Sequence, residues 1–177
     1  ECWQPIQSAT PRGLDFMARH GINGLIGGGV AEGGAMRAVV EGYRDALRRA
    51  GREAELGEGL CIGFHFQLAA TRQEAIKAAA GYFEENLKMF GPLRLIRSMS
   101  EAQIDAMADP KRAPHAGLPT IEEAAGQGAY LCGPPAEIIE ALRRVEKDYP
   151  GLERVSVSHP IGAPESVMLE QLEWFAA

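Results

Sequence analysis

A short apolar run followed by a stretch of helical periodicity recurs four times along this chain, and that order constrains the fold more than any single motif. The runs lie at residues 4–9, 22–27, Leu60–Leu68 and 155–160. The third is the clearest: Ile62, Phe64, Phe66 and Leu68 alternate with Cys61, Gly63, His65 and Gln67, the period of a strand. Strands that alternate with helices predict a parallel sheet covered by helices and joined by right-handed crossovers. Two architectures satisfy this pattern, a four-stranded open sheet and half of an eight-stranded barrel. His65, Gln67, Ser156 and Ser158, opposite the apolar faces of the last two runs, suit the polar mouth of a barrel better than the centre of a doubly wound sheet.

The intervening segments read as helices with recognisable ends. Thr10-Pro11 is an N-cap followed by proline in the first turn, and Leu14, Met17 and Ala18 form the apolar stripe up to Gly21. A second helix at 34–50 buries Met36, Val39, Val40, Tyr43, Ala46 and Leu47, with Arg48-Arg49 at its end and Gly51 as C-cap. Thr71-x-x-Glu74 is a capping box that opens a third helix. Residues 90–130 are punctuated by Gly and Pro and read as a partly helical insert, lid-like in character. The helix at 136–147 is expected to bury Ile138, Ile139, Leu142 and Val145. That at 164–175 is expected to bury Val167, Met168, Leu169, Leu172 and Phe175. The whole reads as one partial domain of four strand-helix units. Its abrupt beginning, Glu-Cys-Trp-Gln, gives the expectation of a strand inside a larger fold.

With 177 residues, 46% of them hydrophobic, a substantial core is expected. A net charge of -6 argues against a nucleic-acid surface, which needs clustered Lys and Arg. No apolar stretch reaches the roughly 20 residues of a membrane span, so no membrane partner is expected and a cytoplasmic location is the default. The three cysteines share no chelating interval, and Cys61, in a strand pattern, reads as a buried thiol. No metal site is expected, since no pair of histidines has ligand spacing.

Ligands bind at the C-terminal ends of strands in such folds. Ser8, Thr10, Arg12 and Gly13 crowd the first of these ends, and helix-start amides, hydroxyls and one guanidinium are what a phosphate requires. An ordinary helix cap explains Thr10 equally well. Neither the P-loop lysine nor the dinucleotide fingerprint is present, and Gly-x-Ser-x-Gly is absent. His65 and Gln67 share a face with Gly63, which leaves room for a planar ligand. His65 reads either as a histidine hydrogen-bonded inside the fold or as a pocket wall. His159 closes the last strand, where an imidazole serves as proton donor, substrate contact or loop anchor. Arg94 and Arg97 bring basic groups to the insert, as wall residues if it folds over the mouth and as solvated arginines if it does not. Cys132, before Gly133-Pro134, has no evident partner that would make it a nucleophile.

Three segments carry a resemblance. Pro5-Ile6-Gln7-Ser8-Ala9-Thr10 followed by Phe16-Met17-Ala18-Arg19-His20-Gly21 resembles the fifth strand and helix of bacterial-luciferase-like flavin-dependent monooxygenases. Leu131-Cys132-Gly133-Pro134-Pro135-Ala136-Glu137-Ile138-Ile139 is similar to that family's turn-and-helix segment, with Pro135 in place of the commoner Glu. Residues 167–176 resemble its final barrel helix.

The resemblance implies the C-terminal half of a TIM barrel, strands five to eight, with the insert between seven and eight. It implies an FMN-dependent monooxygenase or oxidoreductase in which reduced FMN and O2 oxygenate a small organic substrate, with F420 as the alternative cofactor. A homo-oligomer, or a flavin reductase as electron source, is the implied partner. Thr10 and Gly13 then match positions at the flavin phosphate, with Ala9 near the ring and Ser8 and Arg12 beside them. Ala9 stands where some relatives carry an acidic residue, and Gly13 stands at a second hydroxyl position. His65 and His159 become candidate catalytic residues of the chamber, and Gly63, Gln67, Arg94 and Arg97 its wall. The activity is expected to belong to the full barrel. A non-catalytic flavin- or anion-binding module is the competing function.

Overall fold

The computed structural model describes residues 1–6, 9–27, 35–96, 99–158 and 162–176. The element order is β1 (Cys2–Pro5), α1 (Pro11–Arg19), β2 (Ile22–Ile26), α2 (Ala35–Arg49), β3 (Leu60–Leu68), α3 (Arg72–Phe90), α4 (Glu101–Met107), a single 3-10 turn at Ala113–His115, α5 (Ile121–Gly126), β4 (Tyr130–Gly133), α6 (Pro135–Asp148), β5 (Arg154–Ser158) and α7 (Glu165–Ala176). Pairing follows β1-β2-β3-β4, with β5 also on β3, and the three consecutive pairs along that path are all parallel. The parallel sheet with intervening helices is as expected. The expected strand count of four is corrected: there are five among the described residues, because Tyr130–Gly133 is a strand. Its four residues are too few to show a period, and Gly128 and Pro134 on either side gave them the look of a loop.

The chain forms two compact units, and β3 contributes to both. In the first, made of Glu1–Phe64 and Ile139–Ser158, Ile26, Val40, Tyr43, Leu47, Leu60, Ile62 and Phe64 are all buried. The Tyr43 hydroxyl donates to the Ile22 carbonyl at 2.8 Å, which keeps the ring's one polar atom paired as α2 packs. Burial raises the Tyr43 pKa above its ordinary value. Gly51, at φ +80, ends α2 as expected: the Arg52 N–H donates back to the Leu47 carbonyl at 3.0 Å, a geometry that glycine adopts without a Cβ clash. At the start of β5, Arg154 lies 5.0 Å from the Trp3 ring centroid and 3.1 Å from the Glu1 carboxylate.

The second unit comprises His65–Ile138 and the C-terminal helix. Ala75, Ala79, Ile121, Ala124, Ala125, Tyr130 and Cys132 form its core, with α3 and α5 packed on β4 through alanines. Arg72 ties the start of α3 to the end of α5 by donating to the Ala125 carbonyl at 2.9 Å.

The expected stripe of α7 is also corrected. Leu169, Leu172 and Phe175 are 53, 57 and 42% exposed, and the buried side chain of this helix is Gln171. The Leu68 N–H donates to Gln171 Oε1 at 2.6 Å, and Gln171 Nε2 donates to the Leu68 carbonyl at 3.1 Å. A primary amide thus supplies both bonds that a neighbouring strand would otherwise make, and a buried backbone pair without them would be costly. On α6, Ile139 is likewise exposed, whereas Ile138 and Val145 are buried as expected.

Candidate functional site

The N-terminus of α1 is unlike those of α3, α4 and α5 in the second unit. Thr71 Oγ1 accepts from the Glu74 N–H at 3.2 Å while Glu74 Oε2 accepts from the Thr71 N–H at 3.1 Å, which completes the capping box. Ser100 with Gln103, and Thr120 with Glu123, repeat it. Thr10 occupies the same cap position in α1, but its side chain makes no cap bond. The third helical residue there is Gly13, which has no side chain to bond back, and Pro11 supplies no N–H at all. A Cβ placed on Gly13 would lie 3.0 Å from Thr10 Oγ1, so the missing side chain leaves that hydroxyl its space. Arg12, between them, is exposed and forms no ion pair among the described residues. An unused hydroxyl, first-turn amides, the positive helix end and an unpaired guanidinium make a site suited to a phosphate.

The remaining expected site residues are distributed differently. His65 is half-buried and stacks on Tyr130, with ring centroids 5.7 Å apart and planes at 25°. Gln67 is buried. Gly63 faces backbone: an added Cβ would sit 3.5 Å from Gly27 Cα and from the Ile26 carbonyl oxygen. Arg94 is gripped by Glu101 through three hydrogen bonds of 2.7 to 3.2 Å, which raise the Arg94 pKa and hold the Glu101 carboxyl below its usual range. Ser8, Arg97 and His159 lie outside the described residues. No cluster of metal-ligating side chains is present among the described residues.

Of the two buried groups of β4, Tyr130 was not foreseen as a feature of interest, whereas Cys132 was weighed as a nucleophile. Tyr130, 3% exposed, has a hydroxyl without a hydrogen-bond partner among the described residues, and burial pushes its pKa well up. Burial likewise pushes the Cys132 thiol up to about 12, which leaves it protonated and unreactive at neutral pH. Beside α1, Asp15, Arg19 and Arg49 line a groove that sequence reasoning also missed. The spacing of Arg12, Asp15 and Arg19 at i, i+3 and i+7 was the available signal.

A parallel α/β sheet with an open helix start at a strand's C-terminal end defines the class: a portion of a barrel-like α/β protein. Residues 5–150 match the model of the luciferase-like monooxygenases, and the chain belongs to that family. Solved structures agree in fold. Monooxygenase RslO1 from Streptomyces bottropensis superposes with a TM-score of 0.57 at 18% identity, over 98% of this chain and 45% of that one. The oxygenating constituent of 3,6-diketocamphane monooxygenase from Pseudomonas putida, solved with FMN, gives 0.60 at 16% identity, over 93% and 42%. An F420-dependent secondary alcohol dehydrogenase gives 0.50 at 14% identity, over 89% and 42%. The chain spans less than half the length of each of these relatives, and its fold resembles part of their TIM-barrel-like architecture. No curated protein sequence matches it. No helix among the described residues is long and apolar enough to cross a membrane.

Proposed function

We propose that this chain is the flavin-phosphate-binding portion of an oxidoreductase whose complete form uses reduced FMN and O2 to oxygenate a small organic substrate. The observation that carries this reading is the open start of α1, where Thr10 leaves its hydroxyl unspent over Gly13, in a chain of the luciferase-like monooxygenase family. Bound FMN supplies the redox chemistry. The chain's own part is to bind and orient. Thr10 Oγ1 and the first-turn amides donate to phosphate oxygens, and Arg12 balances their charge. Ala9, with no more than a methyl group, leaves room beside the ring, and Ser8, its neighbour in sequence, is a further candidate from the family resemblance. His65 and His159, with Gly63 and Gln67, are the further candidates that the family resemblance offers to the complete enzyme. Turnover belongs to the longer protein, since the relatives of known structure are more than twice this chain's length.

The test is an FMN titration of the full-length protein followed by flavin fluorescence, with F420 titrated in parallel as the alternative cofactor. Thr10→Ala and Arg12→Ala are each expected to weaken FMN binding about tenfold, the loss of one charge-assisted hydrogen bond. Unchanged affinity in both variants overturns the assignment of these residues. Tight F420 binding with no FMN response changes the cofactor.

A further inference from the structure

The groove between α1 and α2 is a second feature of the first unit; it shares Arg12 with the cofactor reading, which gives the rest of its lining no role. It has a volume of about 500 Å³ and is lined by Arg12, Asp15, Arg19, Ala46, Arg49 and Ala50. Ala46 and Ala50 present only methyl groups, which keeps the space open. Three guanidiniums share the groove with one carboxylate.

That carboxylate is already engaged. Asp15 Oδ1 accepts from Arg49 Nε at 3.0 Å and from Arg49 Nη2 at 2.6 Å, which holds Arg49 in place. Arg19 Nε donates to the Asp15 main-chain carbonyl at 3.2 Å, a bond that orients the guanidinium without neutralising it. Arg12 has no ion pair among the described residues. Of the arginines elsewhere, Arg37 rests on Glu41, Arg94 on Glu101 and Arg143 on Glu140, whereas Arg52, Arg112 and Arg144 make no ion pair among the described residues and lie outside this groove. A chain of net charge -6 therefore keeps an excess of positive charge in one concave place. Like charges held together repel, and an anion relieves that repulsion.

We propose that this groove binds a diphosphate group, free or at the end of a small ester, gripped by Arg12 and Arg19 with Arg49 set in position by Asp15. Arginine forks match phosphate oxygens two at a time. Arg12 and Arg19 are seven residues apart, roughly 10 Å along the helix axis, so a ligand with two anionic centres engages both better than a single phosphate does.

The test follows the arginine Nε–H resonances of the chain as inorganic pyrophosphate is added, with inorganic phosphate and a nucleoside diphosphate as parallel arms. The Arg12, Arg19 and Arg49 signals are expected to move together and saturate, with inorganic phosphate binding about tenfold more weakly. A tighter response to the nucleoside diphosphate identifies an ester as the source, and an equal one the free anion. Arg19→Ala is expected to weaken pyrophosphate about tenfold, and Asp15→Asn, which releases Arg49 from its fixed position, to weaken it by less. Unmoved resonances, or an Arg19→Ala variant that binds as the parent does, overturn the proposal. Arg19 and Asp15 lie outside the Thr10 and Gly13 site, so FMN affinity unchanged in these two variants separates failure here from failure of the cofactor reading.

Discussion

Thr10 and Thr71 each begin a helix, one in each unit, and their hydroxyls do opposite things. Thr71 is closed on itself by Glu74, as Ser100 is by Gln103 and Thr120 by Glu123. Thr10 is followed by Pro11, Arg12 and Gly13, and no side chain returns to complete a box. Three helix starts of the second unit spend their polar groups on holding α3, α4 and α5 in place. The one at the end of β1 keeps them available. The cores differ in the same sense. The second unit packs alanines of α3 and α5 around Tyr130 and Cys132, while the first relies on large side chains such as Tyr43, Leu47 and Phe64. Structural capping and ligand binding use the same chemistry, and the residue three positions after the cap decides between them.

Four perturbations sharpen or break this contrast. The largest effect is expected at Gln171. Gln171→Leu leaves the Leu68 N–H and carbonyl without their partners in a buried setting, at a cost of about 2–4 kcal/mol, read from urea unfolding. A loss under about 1 kcal/mol would show that the two bonds are replaced by water.

Alkaline pH comes next. The Cys132 thiol is raised from its ordinary 9.0 up to about 12, mainly by burial, and Tyr130 is raised as well. The folded state therefore holds protons that the unfolded chain releases first. Stability is full below pH 9 and falls as the pH rises from 9 towards 12. Thermal unfolding followed across that range should show the decline, and Cys132→Ala should make it shallower. An equal slope in that variant would remove Cys132 from the account.

Tyr130→Phe deletes a buried hydroxyl that has no partner among the described residues, and is expected to stabilise the fold by about 1 kcal/mol. Destabilisation by a similar amount in the same unfolding measurement would reveal a partner for this group. The smallest effect tests the comparison directly. Thr71→Ala should cost about 1 kcal/mol and Thr10→Ala only a few tenths, since only Thr71 caps. Equal losses would mean that Thr10 caps its helix in solution, and the free hydroxyl on which the cofactor reading rests would be gone.

Much of the fold was legible because local chemistry repeats. The nine residues of β3 alternate cleanly, Thr71-x-x-Glu74 announces α3, and Gly51 ends α2. Strand β4 escaped because four buried residues carry no period of their own. The exposed Leu169, Leu172 and Phe175 were misassigned because an apolar stripe states a tendency to be covered and does not name what covers it. Of the candidate site, the crowding of Thr10, Arg12 and Gly13 was visible. The freedom of the Thr10 hydroxyl was not, since cap and ligand donor have the same sequence pattern.

By itself, then, the sequence determined the alternation of strands and helices, the helix boundaries and the residues massed at the end of β1, because each depends on neighbours a few positions away. Tertiary structure alone decided that Gln171 completes the backbone bonding of Leu68, that Asp15 is taken by Arg49, and that Arg94 is taken by Glu101. Which carboxylate meets which guanidinium, and which polar group is left free to meet a ligand, depend on where whole helices come to rest. Spacing along the chain does not encode that.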